Sequence, residues 1–326
     1  MQAAARAHAN IALIKYWGKR DHVLNLPATG SISVTLEALH SETRVRFDAS
    51  LPADTITLER GGDAERVSRF LDRVRALAGT ELRADVRSRN NFPTGAGLAS
   101  SASGFAALTL AASRAAGIEA SPSELSALAR QGSGSAARSL YGGFVEMQRG
   151  RDDRTGADAH AVPLLAASEW PLAVVVAIID TGTKAVSSTD GMTRTAATSP
   201  FHDAWVAGAD ADLAAMRAAI RDRNLERVGE LTEHSCLKMH ATMLGARPGL
   251  IYWQPATLAA WQTLADLRAD GLAAYGTIDA GPQVKALCRI VDTETVAAAL
   301  GQVPGVRDVR ISRLGPDAGL ISDPWA

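Results

Sequence analysis

Apolar residues recur along this chain with two different periods, which separate strands from helices. Alternating apolar and polar positions predict strands at residues 31–36, 43–47 and 55–58, with further short strands at 82–86, 142–147, 274–278, 284–290 and 306–314. Helices are predicted at residues 64–77, 101–116, 122–130, 203–222, 225–244, 255–269 and 293–300. An unbroken β-branched run at residues 171–179 predicts a buried strand.

The order of these elements favours an α+β fold. Antiparallel-type strands are interleaved with helices, without a regular β-α-β alternation. A length of 326 residues suggests about two domains. The composition shifts near residues 150–170, so we expect an N-terminal domain at 1–170 and a C-terminal domain at 171–326.

Composition and charge narrow the class of protein. Lys and Arg total 34 against 35 Asp and Glu, so a net charge of −1 gives no reason to expect nucleic acid as a partner. No apolar run approaches the roughly 20 residues of a membrane span. Two cysteines, Cys236 and Cys288, form no disulfide framework and fit a reducing compartment. We therefore expect a cytoplasmic protein with no membrane partner.

Two glycine- and serine-rich segments are candidates for anion binding. Residues 90–102 read Asn-Asn-Phe-Pro-Thr-Gly-Ala-Gly-Leu-Ala-Ser-Ser-Ala and lead into a predicted helix, whose first N–H groups favour an anion. The segment is neither a Walker A loop nor a dinucleotide fingerprint, and an ordinary serine cap would look similar. In the second segment, Ser133 and Ser135 precede Arg138, whose fork suits a carboxylate or phosphate, although a surface arginine is the simpler alternative.

Three further segments carry polar groups that chemistry could use. Lys15, Lys19 and Arg20 surround an aromatic pair, an arrangement also compatible with a solvated strand edge. Asp279 ends an apolar strand at a tight turn, where aspartate is common for turn geometry alone. Residues 180–192 form a hydroxyl-rich stretch that is either an anion-binding lid or a polar linker. His234, Cys236 and His240 lie near each other in a predicted helix. Cys236 and His240 share a face of that helix, but no third metal ligand converges on them, so we interpret this group as helix packing.

Taken together, these segments resemble the diphosphomevalonate decarboxylases. The N-terminal signature of that family is matched at residues 15–21, 24–27 and 31–33, and its other blocks follow in order at 91–101, 132–139, 186–192, 240–245 and 279–282. The resemblance covers most of the chain, and several ordered blocks are far more specific than any single one.

This resemblance implies the GHMP kinase fold, an α+β architecture. Its N-terminal domain is like the second domain of ribosomal protein S5, its C-terminal domain is ferredoxin-like, and the active site lies between them. The resemblance also implies ATP and Mg²⁺ as cofactors, and a homodimer. The implied reaction phosphorylates the 3-hydroxyl of mevalonate 5-diphosphate; loss of phosphate and CO₂ then yields isopentenyl diphosphate for isoprenoid biosynthesis by the mevalonate pathway.

The resemblance also assigns roles to matched positions. Asp279 would accept or orient the proton of the 3-hydroxyl, with Lys15 beside it and Ser188 near the transferring phosphate. Arg138 and Ser133 would hold the C1 carboxylate. The diphosphate end would be lined by Tyr16, Lys19, Gly134, Ser135 and Met192. ATP would be contacted by Asn91, Pro93, Gly95, Gly97, Leu98, Ala99, Ser100, Ser101 and Lys184. No direct metal ligand is assigned with certainty; Mg²⁺ would arrive with ATP, and Ser100 or Ser101 would be the side chain to contact it.

Two departures and several alternatives remain open at the level of sequence. Position 189 is threonine where some bacterial relatives carry arginine, and nothing in the sequence explains Asp190 beside an anionic site. A mevalonate 5-phosphate decarboxylase or a 3-kinase would share this architecture, as would a non-catalytic small-molecule binding protein. Tyr16 and Lys19 favour the diphosphate as substrate, and the presence of both Asp279 and Lys15 favours full decarboxylation.

Overall fold

The structure is a computed structural model that describes residues 1–92, 100–182 and 185–326. Its strands, in chain order, are β1 (Gln2–Ile14), β2 (Lys19–Asp21), β3 (Leu26–Pro27), β4 (Ser31–Asp48), β5 (Thr55–Leu58), β6 (Arg83–Asn90), β7 (Phe144–Met147), β8 (Ala161–Leu165), β9 (Leu172–Ile178), β10 (Ala274–Ile278), β11 (Val284–Arg289), β12 (Asp308–Arg313) and β13 (Gly319–Ile321). Its α-helices are α1 (Ala64–Ala78), α2 (Ser100–Ala115), α3 (Pro122–Gly132), α4 (Ser188–Thr198), α5 (His202–Arg221), α6 (Leu225–Leu244), α7 (Pro255–Ala269) and α8 (Thr293–Gly301). Short 3₁₀ helices cover Gly134–Leu140 and Ile290–Asp292.

The larger sheet is built around the long strands β1 and β4. Its order is β13-β1-β4-β6-β5, and β4 also pairs with β7, which pairs with β8. Only the β5–β6 pair among these described strands is parallel. Helices α1, α2 and α3 cover one face, where small alanine side chains of α2 let that helix lie close to the sheet. The last strand, β13, pairs with the first strand, β1, in antiparallel orientation.

The smaller sheet has the strand order of a ferredoxin-like domain. The strands lie in the order β10-β11-β9-β12, and every pair is antiparallel. Numbered 1 to 4 along the chain and read from β12, this order is 4-1-3-2. Alternate residues of β9 enter two different cores, as Val174 and Val176 pack toward α5 and α6 while Val175 packs toward α7 and α8. The unbroken apolar run in β9 therefore reflects a strand covered on both faces, as predicted.

A shared core joins the two sheets. Ile11 and Leu13 of β1 belong to the same apolar cluster as residues of β9, α5 and α6. The α+β prediction is confirmed. Helices α5 and α6 thus fasten the C-terminal part of the chain to the larger sheet, and the ends of β1 and β10 meet at the seam.

Several elements differ from the sequence predictions. The expected strands at 31–36 and 43–47 are one strand, β4, because the buried polar residues Ser41 and Glu42 continue the ladder between them. Helix α4 occupies part of the hydroxyl-rich segment; its threonines and a glycine have low helix propensity, so the pattern concealed it. The strands β1, β2, β3, β8 and β13 were not predicted. The pattern in β1 is weak because this strand is rich in alanine.

Both cysteines are buried and unpaired. None of the helices in the described part of the chain combines the length and apolar character needed to cross a bilayer.

One buried ion pair supports the edge of the larger sheet and yields a stability prediction. Arg75 of α1 donates to both oxygens of Asp54 at 3.0 and 3.1 Å, and both side chains are only 4% exposed. Burial raises the pKa of Asp54, but the bonds from Arg75 and Ser68 outweigh it and leave that pKa below its ordinary value. Asp54→Asn leaves the buried Arg75 with the exposed Asp72, at 2.5 Å, as its ion-pair partner, so we expect a loss of about 1–3 kcal/mol in urea unfolding.

Glu65→Gln is the matched control for this substitution. Glu65 pairs with Arg69 on the exposed face of the same helix, with side chains 82% and 59% exposed, so the change should cost less than about 0.5 kcal/mol. Because the folded pKa of Asp54 lies below its unfolded value, its contribution is present above about pH 4 and is lost as the pH falls further. Equal losses in the two variants would contradict the role given to the Asp54 pair.

Candidate active site

A cavity of about 750 Å³ lies at the seam between the two sheets. Its walls come from the ends of β1 and β10, the 3₁₀ helix at Gly134–Leu140 and the first turns of α2 and α4. Its charged lining among the described residues comprises Lys15, Lys19, Arg60, Arg66, Arg69, Arg73, Arg89 and Arg138, against Asp63 and Asp279. Although the whole chain is nearly neutral, this cavity is strongly basic and suits a small molecule with several negative charges.

Asp279 lies on the cavity wall between two lysines. Lys15 Nζ donates to Asp279 Oδ1 at 2.6 Å, and Lys285 Nζ donates to Oδ2 at 3.1 Å. Both lysines are buried, whereas the carboxylate keeps 27% of its surface exposed. Burial raises the pKa of Asp279, but the charges and hydrogen bonds of Lys15 and Lys285 outweigh it and hold that pKa well below its usual range. The carboxylate is therefore ionised, and its lone pairs allow one more hydrogen bond from a ligand.

Side chains of α6 fix the backbone directly before Asp279. The Ile278 N–H donates to Cys236 Sγ at 3.2 Å, and His240 Nε2 lies 3.3 Å from the Ile278 carbonyl oxygen. Burial, with Lys15 nearby, lowers the pKa of His240 to about 3, so the ring is neutral. Within the described residues, no three His, Cys, Asp or Glu side chains come together as a metal site. Cys236 and His240 both contact the Ile278 backbone, so in this structure they pack helix α6 against the end of β10.

The N-terminal signature is anchored to the C-terminal part of the chain. The Lys15 N–H donates to Ser235 Oγ at 3.0 Å, and Trp205 Nε1 donates to the Trp17 carbonyl oxygen at 2.9 Å. Lys15 follows the buried apolar end of β1, so the strand itself carries the lysine into the seam. Lys15 and Asp279, which are 264 positions apart, are thereby held in contact.

Arg138 is a buried cation held by neutral groups. Its Nε donates to Ser33 Oγ at 2.9 Å, its Nη2 donates to Asn10 Oδ1 at 3.0 Å, and its Nη1 donates to Ser31 Oγ. No carboxylate among the described residues forms an ion pair with it. Burial lowers the pKa of Arg138 to about 10, which leaves it charged at neutral pH. A buried arginine on the wall of a cavity, with no ion-pair partner in the part of the chain that the structure describes, is suited to an anionic ligand.

The polar groups beside Arg138 include those predicted for the diphosphate. Tyr16, Lys19, Gly134 and Ser135 all line the cavity. The Tyr16 hydroxyl is buried without a hydrogen-bond partner among the described residues, and burial raises its pKa to about 12. Burial, and secondarily Arg66, lowers the pKa of Lys19. A bound anion would satisfy the hydroxyl and favour the charged lysine.

Gly134 is required by its contact with Tyr16. A Cβ at position 134 would overlap the Tyr16 hydroxyl and lie 2.7 Å from Tyr16 Cζ. Overpacking of this kind costs about 1–3 kcal/mol, so Gly134→Ala should lower kcat/KM for the organic substrate by about 10-fold. Gly319→Ala is the control, because a Cβ there meets nothing within 4 Å. Unchanged kinetics in Gly134→Ala would show that Tyr16 moves without consequence.

The two glycine- and serine-rich segments meet at the other side of the cavity. Ser101 Oγ of α2 lies 3.4 Å from Ser133 Oγ, and Ser100 also lines the cavity. Asn91 holds β4 instead, since its amide donates to the Ala38 carbonyl oxygen and accepts from the His40 N–H. Outside the described residues lie the other predicted ATP ligands, Pro93, Gly95, Gly97, Leu98, Ala99 and Lys184.

Helix α4 brings its N-terminus to the same cavity. Ser187 caps the helix by accepting from the Asp190 N–H at 3.1 Å, and its hydroxyl donates to Asp190 Oδ2 at 2.7 Å. Asp190, which the sequence left unexplained, is thus a capping residue in the first helical turn. Ser188, Thr189 and Met192 line the cavity, and Met192 also belongs to a buried apolar cluster. A helix N-terminus on the wall of a cavity suits an anion.

Sequence reasoning missed three residues of this site. Lys285 lies in an apolar strand, where a single lysine is typical of an exposed edge. Asn10 orients Arg138 and donates to the Ser135 carbonyl oxygen at 2.9 Å, yet it stands before the signature that drew attention. Arg66 belongs to an amphipathic helix and donates to the Gly132 carbonyl oxygen. The sequence offered no signal for Arg66 or Asn10. For Lys285 there was one, since it follows Asp279 by six positions across a predicted hairpin turn.

The larger sheet with its covering helices, the ferredoxin-like smaller sheet and the basic cavity between them together define the class of the protein, the GHMP kinase fold. The family model described as diphosphomevalonate decarboxylase-like N-terminal domain matches residues 7–161, and that described as mevalonate 5-diphosphate decarboxylase C-terminal domain matches residues 174–311. The chain belongs to the diphosphomevalonate decarboxylase family.

Individual relatives agree with this assignment. A diphosphomevalonate decarboxylase of Ganoderma lucidum is 38% identical over 86% of this chain and 76% of its own. A phosphomevalonate decarboxylase of Haloferax volcanii is 35% identical over 87% of each chain. The mevalonate diphosphate decarboxylase structure from Staphylococcus aureus has a TM-score of 0.91 at 39% identity over 98% of both chains. The complex of MDDEF with MVAPP, AMPPCP and magnesium has a TM-score of 0.91 at 40% identity over 99% of both.

Proposed function

We propose that this chain catalyses the ATP-dependent decarboxylation of mevalonate 5-diphosphate, giving isopentenyl diphosphate, ADP, phosphate and CO₂. The observation that carries the proposal is an ionised Asp279, held by two lysines and partly exposed to a basic cavity. The same cavity contains the buried Arg138, which has no carboxylate ion-pair partner among the described residues. The relatives named above act on, or were crystallised with, ligands of this class.

The proposed chemistry explains why charge dominates the cavity. Hydroxide is a poor leaving group, so ATP first phosphorylates the tertiary 3-hydroxyl, whose proton is accepted or oriented by Asp279. Phosphate then leaves as positive charge develops at C3, and the electrons of the departing carboxylate form the double bond while CO₂ is released. The chain's task is to position phosphates and balance charge, as in phosphoryl transfer generally.

Individual roles follow from what each side chain can reach. Arg138 would hold the C1 carboxylate with Ser133, because its guanidinium lacks an acidic partner among the described residues. Tyr16, Lys19, Ser135 and the N-terminus of α4 at Ser188 would face phosphate groups. Met192 and Gly134 would shape that end of the cavity.

ATP would lie along the start of α2, where Ser100 and Ser101 line the cavity. The described residues offer no acidic cluster for a metal, so Mg²⁺ fits this site as an ion carried by the nucleotide phosphates and a serine hydroxyl. When bound, Mg²⁺ neutralises phosphate charge. We also propose a cytoplasmic homodimer and a domain boundary near residue 170; the two matched family ranges, which end at 161 and begin at 174, support that boundary.

The decisive experiment measures ADP and CO₂ together. ATP and Mg²⁺ are supplied with mevalonate 5-diphosphate, mevalonate 5-phosphate or mevalonate in parallel reactions. We expect equal amounts of ADP and CO₂ from the diphosphate. Preference for the monophosphate would instead indicate the activity named for the Haloferax volcanii relative, ADP without CO₂ would indicate a 3-kinase, and no product from any of the three would indicate a binding protein.

A further inference from the structure

Lys285 is an ammonium group buried inside a sheet. It lies on the central strand β11, opposite Thr277 of β10 and Val176 of β9. Its side chain is fully buried, and its Nζ donates to Asp279 Oδ2 at 3.1 Å. Burying an ammonium is costly unless a charge balances it, so its place behind Asp279 needs an explanation beyond packing.

The two lysines of this site differ in where they lie. Lys15 is part of the cavity lining, together with Asp279, and Lys285 lies outside that lining. Each lysine contacts a different oxygen of the carboxylate. Lys15 can therefore approach a ligand in the cavity, whereas Lys285 contacts the Asp279 carboxylate from outside the cavity lining.

We infer that Lys285 is a positioning residue that keeps the Asp279 carboxylate ionised and correctly turned when Lys15 shifts its contact to the phosphoryl group being transferred. With one lysine alone, that shift would leave the carboxylate without a counter-ion at the moment when it must accept a hydrogen bond. The fixed Lys285 removes this conflict, since it occupies the oxygen that faces away from Lys15. The kinetic consequences rest on the proposed function; the pairing of charges does not.

Once Lys15 has turned to the phosphoryl group, Lys285 is the strongest counter-ion left beside Asp279. The titratable and charged groups that face the carboxylate from the packed elements are Lys15, Lys285, Arg138, Cys236 and His240. His240 is neutral, and burial raises the pKa of the Cys236 thiol, so neither supplies a positive charge. Arg138 hydrogen-bonds to Asn10 and two serines. Once Lys15 has shifted its contact, no other cation of the described residues forms an ion pair with Asp279 in place of Lys285.

The kinetic test replaces Lys285 by methionine, which has similar bulk and no charge. We expect kcat to fall about 10-fold at neutral pH with little change in the KM for ATP, and the acidic limb of the kcat profile to move up by about 1–3 pH units. Lys238→Met is the matched control, because it removes a lysine paired with Asp212 at 2.6 Å outside the cavity. A drop in kcat with an unmoved acidic limb would overturn the inference.

Lys285→Gln separates charge from hydrogen bonding. It keeps a donor for Asp279 Oδ2, so we expect it to recover part of kcat while the acidic limb stays displaced. If the glutamine variant instead restored the wild-type limb, the charge of Lys285 would have no role and the inference would fail.

A second measurement needs neither catalysis nor a change at Lys285. In Lys15→Met, carboxyl ¹³C NMR of aspartate-labelled protein follows the titration of Asp279, which is assigned by comparison with Asp279→Asn. Because Lys285 remains, we expect Asp279 to stay ionised at pH 5. Protonation near or above the ordinary aspartate pKa of about 3.9 would overturn the inference even if the proposed reaction is correct. Ionised Asp279 in a protein without decarboxylase activity would leave the pairing intact and refute the proposed function alone.

Discussion

Asp279→Asn is expected to abolish turnover while ATP still binds. The amide cannot accept the hydroxyl proton and carries no charge to balance Lys15 and Lys285, which lie 2.6 and 3.1 Å from the two carboxylate oxygens. Proton transfer by a positioned side chain contributes about 10²–10⁴-fold, and the lost electrostatic balance adds to it. We therefore expect kcat to fall by at least about 10³-fold, measured as CO₂ release.

Structural damage must be separated from this chemical effect. Without Asp279, two buried ammonium groups face each other, so we expect one of them to lose its proton, which lets the variant fold. Thermal unfolding and ATP titration calorimetry check that the fold and the nucleotide site persist. Asp180→Asn is the control, because Asp180 is a partly exposed aspartate outside the cavity. Near-wild-type turnover in Asp279→Asn would remove this residue from the mechanism.

Most of the fold could be predicted from the sequence because local patterns and packing agree. The two-sided burial of β9 appears directly as an unbroken apolar run, and the capping box at Ser121 marks the start of α3. Helix α4 could not be predicted, since its stability depends on packing of Met192 and Thr195 more than on helix propensity. The return of β13 to β1 is a long-range pairing that no local pattern records.

The candidate site shows a similar division. Motifs bring Lys15, Arg138 and Asp279 to attention, and the fold gathers them around one cavity. The supporting groups Asn10 and Lys285 carry no motif of their own, because their role depends on three-dimensional contacts with those residues. The sequence therefore predicts which groups react or bind better than it predicts which groups orient them.

Arg138→Ala should have the second largest effect, and its pattern distinguishes substrate positioning from nucleotide binding. The guanidinium is buried, charged and held by Asn10, Ser31 and Ser33, with no carboxylate of the described residues to pair with. A substrate carboxylate would complete a buried charge pair. Truncating one partner of such a pair costs about 2–5 kcal/mol, so we expect kcat/KM for the organic substrate to fall by about 10³-fold.

Arg138→Lys makes the interpretation specific. Lysine keeps the charge but loses the planar fork that can bind two carboxylate oxygens while its other donors hold Asn10 and two serines. We expect it to recover only part of the lost kcat/KM, with the Kd for ATP close to wild type in both variants. Because Asn10 and Ser31 lose a partner in the alanine variant, unfolding in urea is measured alongside the kinetics. If the effect were confined to the affinity for ATP, Arg138 would belong to the nucleotide site, and the carboxylate would have to be held by another cation of the cavity.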